Sequence, residues 1–120
     1  MVMVILGNCA PRVALGPAYI IYPEIRSIEI ELRSYSFQPN HIVILKNKPC
    51  TLSVRLINTA EIKHNFTSID DQKNILSMVN LMPKETTFIT IKSFDLGNYI
   101  FYCNRFLHRF WGMKGMLMVE

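Results

Sequence analysis

The sequence predicts an all-β sandwich or barrel in a single domain, and three observations support this prediction. Several short segments alternate apolar and polar residues with a period of two, as half-buried strands do. Turn-forming stretches such as QPN, NKP and DLGN separate these segments at intervals of roughly 8–12 residues. The chain has 120 residues, half of them apolar, which is enough to enclose one sizeable core.

The strands can be assigned from residue 26 onward. HIVILK is a continuous apolar run, which is typical of a strand buried on both faces. GMLMVE is predicted to be the last strand of the chain. The segments RSIEIELR, TLSVRLI, ETTFITIK and NYIFYC each place one set of side chains on a single face: Ile28, Ile30 and Leu32; Leu52, Val54 and Leu56; Ile89 and Ile91; and Tyr99, Phe101 and Cys103.

One segment, DDQKNILSMVNLM, departs from the strand pattern. Its apolar residues recur at i, i+3, i+4 and i+7, the period of an amphipathic helix: Ile75, Met78, Val79 and Met82. Asp70 and Asp71 precede them and could cap a helix N-terminus. We therefore expect one short helix packed against the sandwich.

The N-terminal segment, residues 1–25, leaves two interpretations open. A bilayer-spanning helix needs about 20 uninterrupted apolar residues, and this segment is interrupted by Gly7, Pro11, Gly16 and Pro17. It is either a degenerate export signal, which predicts a periplasmic or membrane-surface location, or an additional strand. We expect the domain proper to span residues 26–120, and any membrane association to involve the N-terminal segment alone.

Charge and cysteine content exclude some functions. The formal net charge is +4, but lysines and arginines are scattered and no nucleic-acid-binding motif is present, so we expect no nucleic acid partner. The mild positive charge suits an acidic protein or an anionic membrane surface. Three cysteines cannot form a complete disulfide framework, although Cys9 and Cys50 could pair with each other.

A cysteine, a histidine and a methionine stand at equal intervals near the C-terminus, at Cys103, His108 and Met113. The first ends a predicted strand and the third precedes the last strand, so one loop delivers all three side chains. His64, in KHNFTSI, is a fourth candidate ligand. Two histidines, one cysteine and a weak axial methionine form the donor set of mononuclear blue-copper sites, whereas zinc sites use nitrogen, oxygen and thiolate ligands.

The same residues also have a purely structural interpretation. A lone cysteine in an apolar segment is more often a core residue than a metal ligand. The chain contains seven methionines, so Met113, Met116 and Met118 could all be core residues. The third histidine, His41, follows a turn and is expected to be exposed. The spacing alone leaves copper binding and core packing both open.

From about residue 28 to its end, the chain resembles the cupredoxin family of small blue-copper proteins. Four motifs carry the resemblance, in the family's order. FQPNHIVILKNKPCTLSVRLIN contains an F-x-P motif, a buried strand and an asparagine, Asn58, before the first ligand loop. HNF matches the first-ligand motif, GNYIFYC matches G-x-Y-x-F-x-C, and GMKGMLMV matches the ending G-M-x-G-x-L-x-V. Phe106 and Leu107 depart from the Pro-Gly of many relatives, which leaves the branch of the family open.

The resemblance implies a Greek-key β-sandwich of about 7–8 strands and one copper ion that cycles between Cu(I) and Cu(II). It implies the ligands His64, Cys103, His108 and Met113, and a role for Asn65 in tying the first ligand loop to the cysteine loop. It further implies one-electron transfer, without enzymatic activity. Copper storage, delivery or sensing, a copper-binding subunit of a larger redox complex or enzyme, and a metal-free binding domain remain alternatives.

The loop around His108 suggests how a redox partner could dock. In the resemblance, the ring edge of His108 reaches the surface and passes the electron. The neighbouring side chains would form an apolar collar (Phe106, Leu107, Phe110 and Trp111) and a cationic rim (Arg105, Arg109 and Lys114). We expect a monomer that docks briefly near His108 with an acidic redox protein.

Overall fold

The computed structural model describes residues 15–22, 27–45, 51–92, 95–105 and 113–120. These ranges confirm the all-β prediction, since they contain strands and turns but no helix. They also contain no helix long and apolar enough to cross a membrane. The strands are β1 (Tyr19–Ile21), β2 (Ser27–Arg33), β3 (Ser36–Gln38), β4 (His41–Ile44), β5 (Thr51–Asn58), β6 (His64–Ile69), β7 (Ile75–Leu81), β8 (Thr86–Lys92), β9 (Gly97–Tyr102) and β10 (Lys114–Val119).

The strands form two sheets that pack as a β-sandwich. One sheet has six strands in the order β1-β4-β10-β9-β6-β7, and the other has four in the order β3-β2-β5-β8. The chain therefore passes from one sheet to the other several times, for example between β4, β5 and β6. The pairs β1–β4, β4–β10 and β2–β5 are parallel, and the remaining pairs are antiparallel.

Apolar alternation identified the core-facing side of most strands correctly. The predicted inward residues of β2 and β5 are all at most 5% exposed. In β8 and β9, Ile91 and Phe101 are buried as expected, while Ile89 and Tyr99 pack against the core from its margin. The expectation for β4 was only partly correct, because its buried residues alternate with half-buried ones and its outer face is not fully covered.

The helix expected between residues 70 and 82 is wrong, because Ile75–Leu81 form strand β7 at the edge of the six-stranded sheet. The outward residues Leu76 and Met78 are exposed, and the inward Leu81 is buried, so the true period is two. Antiparallel pairing with β6 decides the conformation, as tertiary contacts often override local pattern.

Asp70, which was expected to cap a helix, instead stabilises the hairpin turn between β6 and β7. Asp70 Oδ1 accepts hydrogen bonds from the backbone N–H groups of Gln72 and Asn74, at 2.9 and 2.8 Å. These bonds, chiefly the one from Asn74, lower the pKa of the Asp70 carboxyl. Capping and turn formation use the same side-chain chemistry, so the sequence signal suited both structures.

The chain before β2 includes one strand of the sandwich. β1 pairs in parallel with β4, and its Ile21 is buried. Residues 1–14 and 23–26 lie outside the described ranges. The export-signal interpretation and the domain boundary near residue 25 stay predictions, as does the pairing of Cys9 with Cys50, both of which are also outside those ranges.

Three phenylalanines form the centre of the core below one end of the sandwich. The ring centroids of Phe37, Phe66 and Phe101 are 5.2–5.9 Å apart, in edge-to-face and stacked arrangements. Gly115 of β10 lies directly against the Phe101 ring. A Cβ atom at this position would lie 2.5 Å from Phe101 Cε2 and 2.8 Å from the carbonyl oxygen of Asn40.

We predict that Gly115→Ala lowers the free energy of unfolding by about 1–3 kcal/mol, because the added methyl group must displace a packed ring and a backbone carbonyl. Gly16→Ala is the matched control, since a Cβ there would meet its nearest neighbour, Asn40 Oδ1, at 3.4 Å. Urea titration of both variants measures the difference. Equal stabilities would mean that β10 does not approach Phe101 this closely.

Candidate metal centre

His64 begins strand β6, which lies between β7 and β9 in the six-stranded sheet. It pairs with Leu81 on β7 and is completely buried. A histidine at 0% exposure is unusual on an apolar strand, because its two ring nitrogens both require polar partners. The structure therefore places the first predicted ligand inside the sandwich, at one end of the sheet.

Cys103 and Met113 lie at the two ends of the predicted ligand loop. Cys103 directly follows β9, and Met113 directly precedes β10. The backbone N–H of Cys103 donates to the carbonyl oxygen of Met113 at 3.0 Å, so the antiparallel β9–β10 ladder continues to the base of the loop. Both side chains are at 0% exposure.

The side chains of His64 and Cys103 meet in the interior. Nδ1 of His64 lies 3.9 Å from Sγ of Cys103. The backbone N–H of Asn65 donates to the same sulfur at 3.2 Å. A thiolate benefits from such a bond, because the amide stabilises its negative charge. Two candidate ligands, 39 positions apart in the sequence, thus meet at one point.

A family comparison identifies the domain. The model of the cupredoxin-like domain matches residues 4–119 of the chain. The chain belongs to the cupredoxin-like domain family. The resemblance noted in the sequence is thereby confirmed at the level of the family. A comparison with curated protein sequences gives no match.

Solved structures share the fold of this cupredoxin-like domain. Reduced auracyanin from the photosynthetic bacterium Roseiflexus castenholzii matches with a TM-score of 0.67 and 22% identity, over 78% of this chain and 96% of that one. Auracyanin B matches with a TM-score of 0.68 and 16% identity, over 92% and 96%. The metal-binding domain of the Cu(I)-exporting P-type ATPase CopA of Streptococcus pneumoniae D39 matches with a TM-score of 0.62 and 16% identity, over 88% and 99%.

The donor geometry of this cupredoxin-like domain is compatible with a shared metal ion. With bonds of about 2.0 Å to nitrogen and about 2.3 Å to sulfur, as for zinc, and an angle of about 120–130°, two ligands lie about 3.7–3.9 Å apart. The 3.9 Å between His64 Nδ1 and Cys103 Sγ lies at the upper end of this range. The donors, imidazole and thiolate, also suit copper, and a thioether would favour its reduced form.

Of the two remaining predicted ligands, the structure describes Met113 but not His108. Met113 has its backbone beside Cys103 and its side chain buried. His108 lies outside the described residues. Within those ranges, histidine, cysteine, aspartate and glutamate form no group of three or more that could hold a metal ion. The full four-ligand set therefore stays a prediction.

Asn65 ties the two ligand-bearing segments together through its side chain as well as its backbone. Its Oδ1 accepts a hydrogen bond from the backbone N–H of Asn104 at 3.3 Å and another from the Thr67 hydroxyl. Its Nδ2 donates to Oδ1 of Asn80 on β7 at 3.1 Å. The role that the resemblance implied for this residue is confirmed, since the network connects β6 and β7 to the residue that follows Cys103.

Two members of this network, Asn80 and Asn104, were missed in the sequence. Asn80 is directly opposite Asn65 in the β6–β7 register, and the helix expected in that segment concealed the pairing. Asn104 contributes a backbone N–H, which every residue except proline carries, so its identity gave no signal. Their positions depend on strand register, which single-sequence patterns do not determine.

The described surroundings of the site include buried aromatic side chains and two of the predicted cationic ones. Phe66 and Phe101, on β6 and β9, lie two residues along the chain from His64 and Cys103, and both are buried. Arg105 is exposed and Lys114 is half-buried. The third member of the cationic rim, Arg109, and the entire apolar collar lie outside the described residues.

We predict that Asn65→Ala lowers the free energy of unfolding by about 1–3 kcal/mol in the metal-free protein, because the buried Thr67 hydroxyl and the partly buried Asn104 N–H lose their acceptor. Asn80→Ala is the matched control, since it removes one bond of the network at an exposed position. Denaturant titration compares the two. A loss from Asn65→Ala no larger than that from Asn80→Ala would contradict the central role of Asn65.

Proposed function

We propose that this cupredoxin-like domain is a one-electron carrier with a single mononuclear type-1 copper site that cycles between Cu(I) and Cu(II). The observation that carries the proposal is the approach of two buried donors, His64 Nδ1 and Cys103 Sγ, to 3.9 Å at one end of the sandwich. Membership of the cupredoxin-like family supports copper as the metal. The proposed ligands are His64, Cys103 and His108, with Met113 as the weak axial donor.

Bound copper would supply the redox chemistry, and the protein's contribution is to hold the ligands still. His64 is fixed in the β6–β7 ladder, and Cys103 is fixed by its backbone bond to Met113. The Asn65 network joins the two segments. Ligands held by packing and by outer hydrogen bonds keep their positions when the charge of the metal changes. Small rearrangement favours rapid electron transfer.

The buried environment favours the reduced state. The cuprous site has less net positive charge than the cupric site, so an apolar shell around it disfavours oxidation. Phe66 and Phe101 supply part of this shell. The Asn65 N–H draws electron density from the Cys103 sulfur and acts in the same direction. We therefore infer that the protein accepts electrons from donors of lower potential.

Electron exchange would take place at the end of the sandwich that carries the ligand loop. In this proposal His108 is the exit point, and a cationic rim of Arg105, Arg109 and Lys114 attracts an acidic redox protein. In this proposal the domain works as a monomer that docks only briefly with its redox partner. An extracytoplasmic site of action, in the periplasm or at a membrane surface, agrees with the export interpretation of residues 1–25.

Copper handling is a second candidate function, and exposed methionines favour it. Met78 and Met82 are 53% and 56% exposed, on and just after the strand that pairs with His64. Thioethers are good ligands for Cu(I) and could receive the ion before it enters the site. The fold is shared with a metal-binding domain of a Cu(I)-exporting ATPase. Rapid loss of Cu(I) to a competing chelator would distinguish this function from electron transfer.

We predict that the copper(II)-loaded protein absorbs strongly in the visible region and that Cys103→Ser abolishes this absorption. The colour of a type-1 site arises from charge transfer between thiolate and copper, and a hydroxyl group cannot provide it. Cys50→Ser is the matched control and should remain coloured. Optical spectra during titration with copper measure the effect.

A colourless copper complex of the unmodified protein would contradict the type-1 assignment. A coloured Cys103→Ser variant together with a colourless Cys50→Ser variant would mean that Cys50, and not Cys103, supplies the thiolate ligand.

We predict that Arg105→Glu slows electron transfer to an acidic partner protein several-fold at low ionic strength and that added salt reduces the difference. Lys73→Glu is the matched control, since it makes the same charge change in the exposed hairpin turn at the opposite end of the sheet. Stopped-flow mixing measures both. Equal slowing by the two variants would indicate a net-charge effect and would reject the cationic rim.

A further inference from the structure

Asn58 is a completely buried polar residue that belongs to neither the predicted ligand set nor the Asn65 network. It ends strand β5, six positions before His64, and its exposure is 0%. Its Oδ1 accepts a hydrogen bond from the backbone N–H of Ala60 at 3.0 Å. The two N–H bonds of its Nδ2 are shared among three backbone carbonyl oxygens, those of Ile62, Met82 and Leu81, at 2.9, 3.1 and 3.3 Å.

These bonds reach the two backbone segments that hold His64 in place. Ile62 lies two residues before His64 in the chain, and Leu81 is the residue that pairs with His64 across the β6–β7 ladder. One amide group therefore holds the approach to His64 and the strand beside it. Its own backbone is fixed as well, because Asn58 N–H donates to the carbonyl oxygen of Glu85 at 2.8 Å.

The position of Asn58 explains why a side chain is needed here. β5 and β6 belong to different sheets, so residues 59–63 cross from one sheet to the other. A crossing segment cannot satisfy its backbone groups through a strand ladder, and buried backbone groups require other partners. The Asn58 side chain accepts from the N–H of Ala60 near the start of this segment and donates to the carbonyl oxygen of Ile62 near its end.

We propose that Asn58 is a positioning residue for His64, which fixes the first copper ligand by clamping residues 59–63 to the end of β7. The inference rests on the proposed function, because it gives His64 the role of a ligand. The printed side-chain bonds of Asn58 go to the backbone of Ala60, Ile62, Leu81 and Met82, so it would act through the backbone on both sides of His64.

The chemistry of the contacts restricts this position to asparagine. An aspartate side chain has the same shape, but the carboxylate oxygen in place of Nδ2 would face three carbonyl oxygens and would be repelled. A serine hydroxyl could still accept from Ala60, but it is too short and has too few hydrogens to reach three carbonyls. Either change releases Leu81 and Met82 from residues 59–63.

The test compares Asn58→Asp and Asn58→Ser with the same two changes at Asn98, an exposed residue of β9. Near-ultraviolet circular dichroism identifies conditions in which each variant is folded. Under those conditions copper affinity is measured by competition with a chelator, and the copper hyperfine splitting by electron paramagnetic resonance. In the metal-free protein, nuclear magnetic resonance of the His64 ring reports its position directly.

We expect the folded Asn58 variants to bind copper about 10- to 100-fold more weakly, as is typical when a group that supports a metal ligand is removed. The hyperfine splitting should change, and the His64 ring signals should shift or broaden, while both Asn98 variants match the unmodified protein. A residue with a structural role alone would lower stability without moving these signals. If Asn58→Asp does not fold, Asn58→Ser supplies the same measurements, because it retains the acceptor for Ala60.

Folded Asn58 variants with unchanged affinity, splitting and His64 signals would overturn the inference and leave the proposed function intact. Failure of the unmodified protein to form a thiolate–copper absorption would instead remove the proposed function. The His64 signals of the metal-free variants would then still decide whether Asn58 positions this ring.

Discussion

The hydrogen bond from the Asn65 backbone to the Cys103 sulfur is the contact on which the rest of the site depends. It joins the strand that begins with His64 to the residue that follows β9, and so brings an imidazole and a thiol from distant parts of the sequence to 3.9 Å. The Asn65 side chain repeats the connection through Asn104. Because backbone and side chain act together, the two donors cannot separate without opening the β6–β9 pairing.

Core packing and further hydrogen bonds in the sandwich support this contact. The stacked rings of Phe66 and Phe101 belong to residues two positions from His64 and Cys103, and the absence of a side chain at Gly115 lets β10 approach the Phe101 ring closely. The Asn58 side chain forms hydrogen bonds with backbone groups of the segment that crosses between the sheets. A site built on ladders and a close-packed core is expected to change little between two charge states, as the proposed electron transfer requires.

The sequence predicted the fold class and core well, because both follow from alternation, which is a local property. His64, Cys103 and Met113 were predicted as ligands because their residue types and order matched a family motif, and the structure brings the first two together. The strand at Ile75–Leu81 was mistaken for a helix, since its apolar spacing suits both periods and only pairing with β6 decides between them. Asn80, and the multiple contacts of Asn58, depend on that same pairing and could not be predicted without it.

The central claim is that a nitrogen of His64 and the sulfur of Cys103 bind the same copper ion. X-ray absorption at the copper edge, on protein loaded with one equivalent of copper, tests this claim most directly, because it counts the sulfur and nitrogen neighbours of the metal. The account predicts one short copper–sulfur bond together with imidazole nitrogens, and the loss of one imidazole in His64→Ala. A coordination shell without sulfur, or one unchanged in His64→Ala, would contradict it.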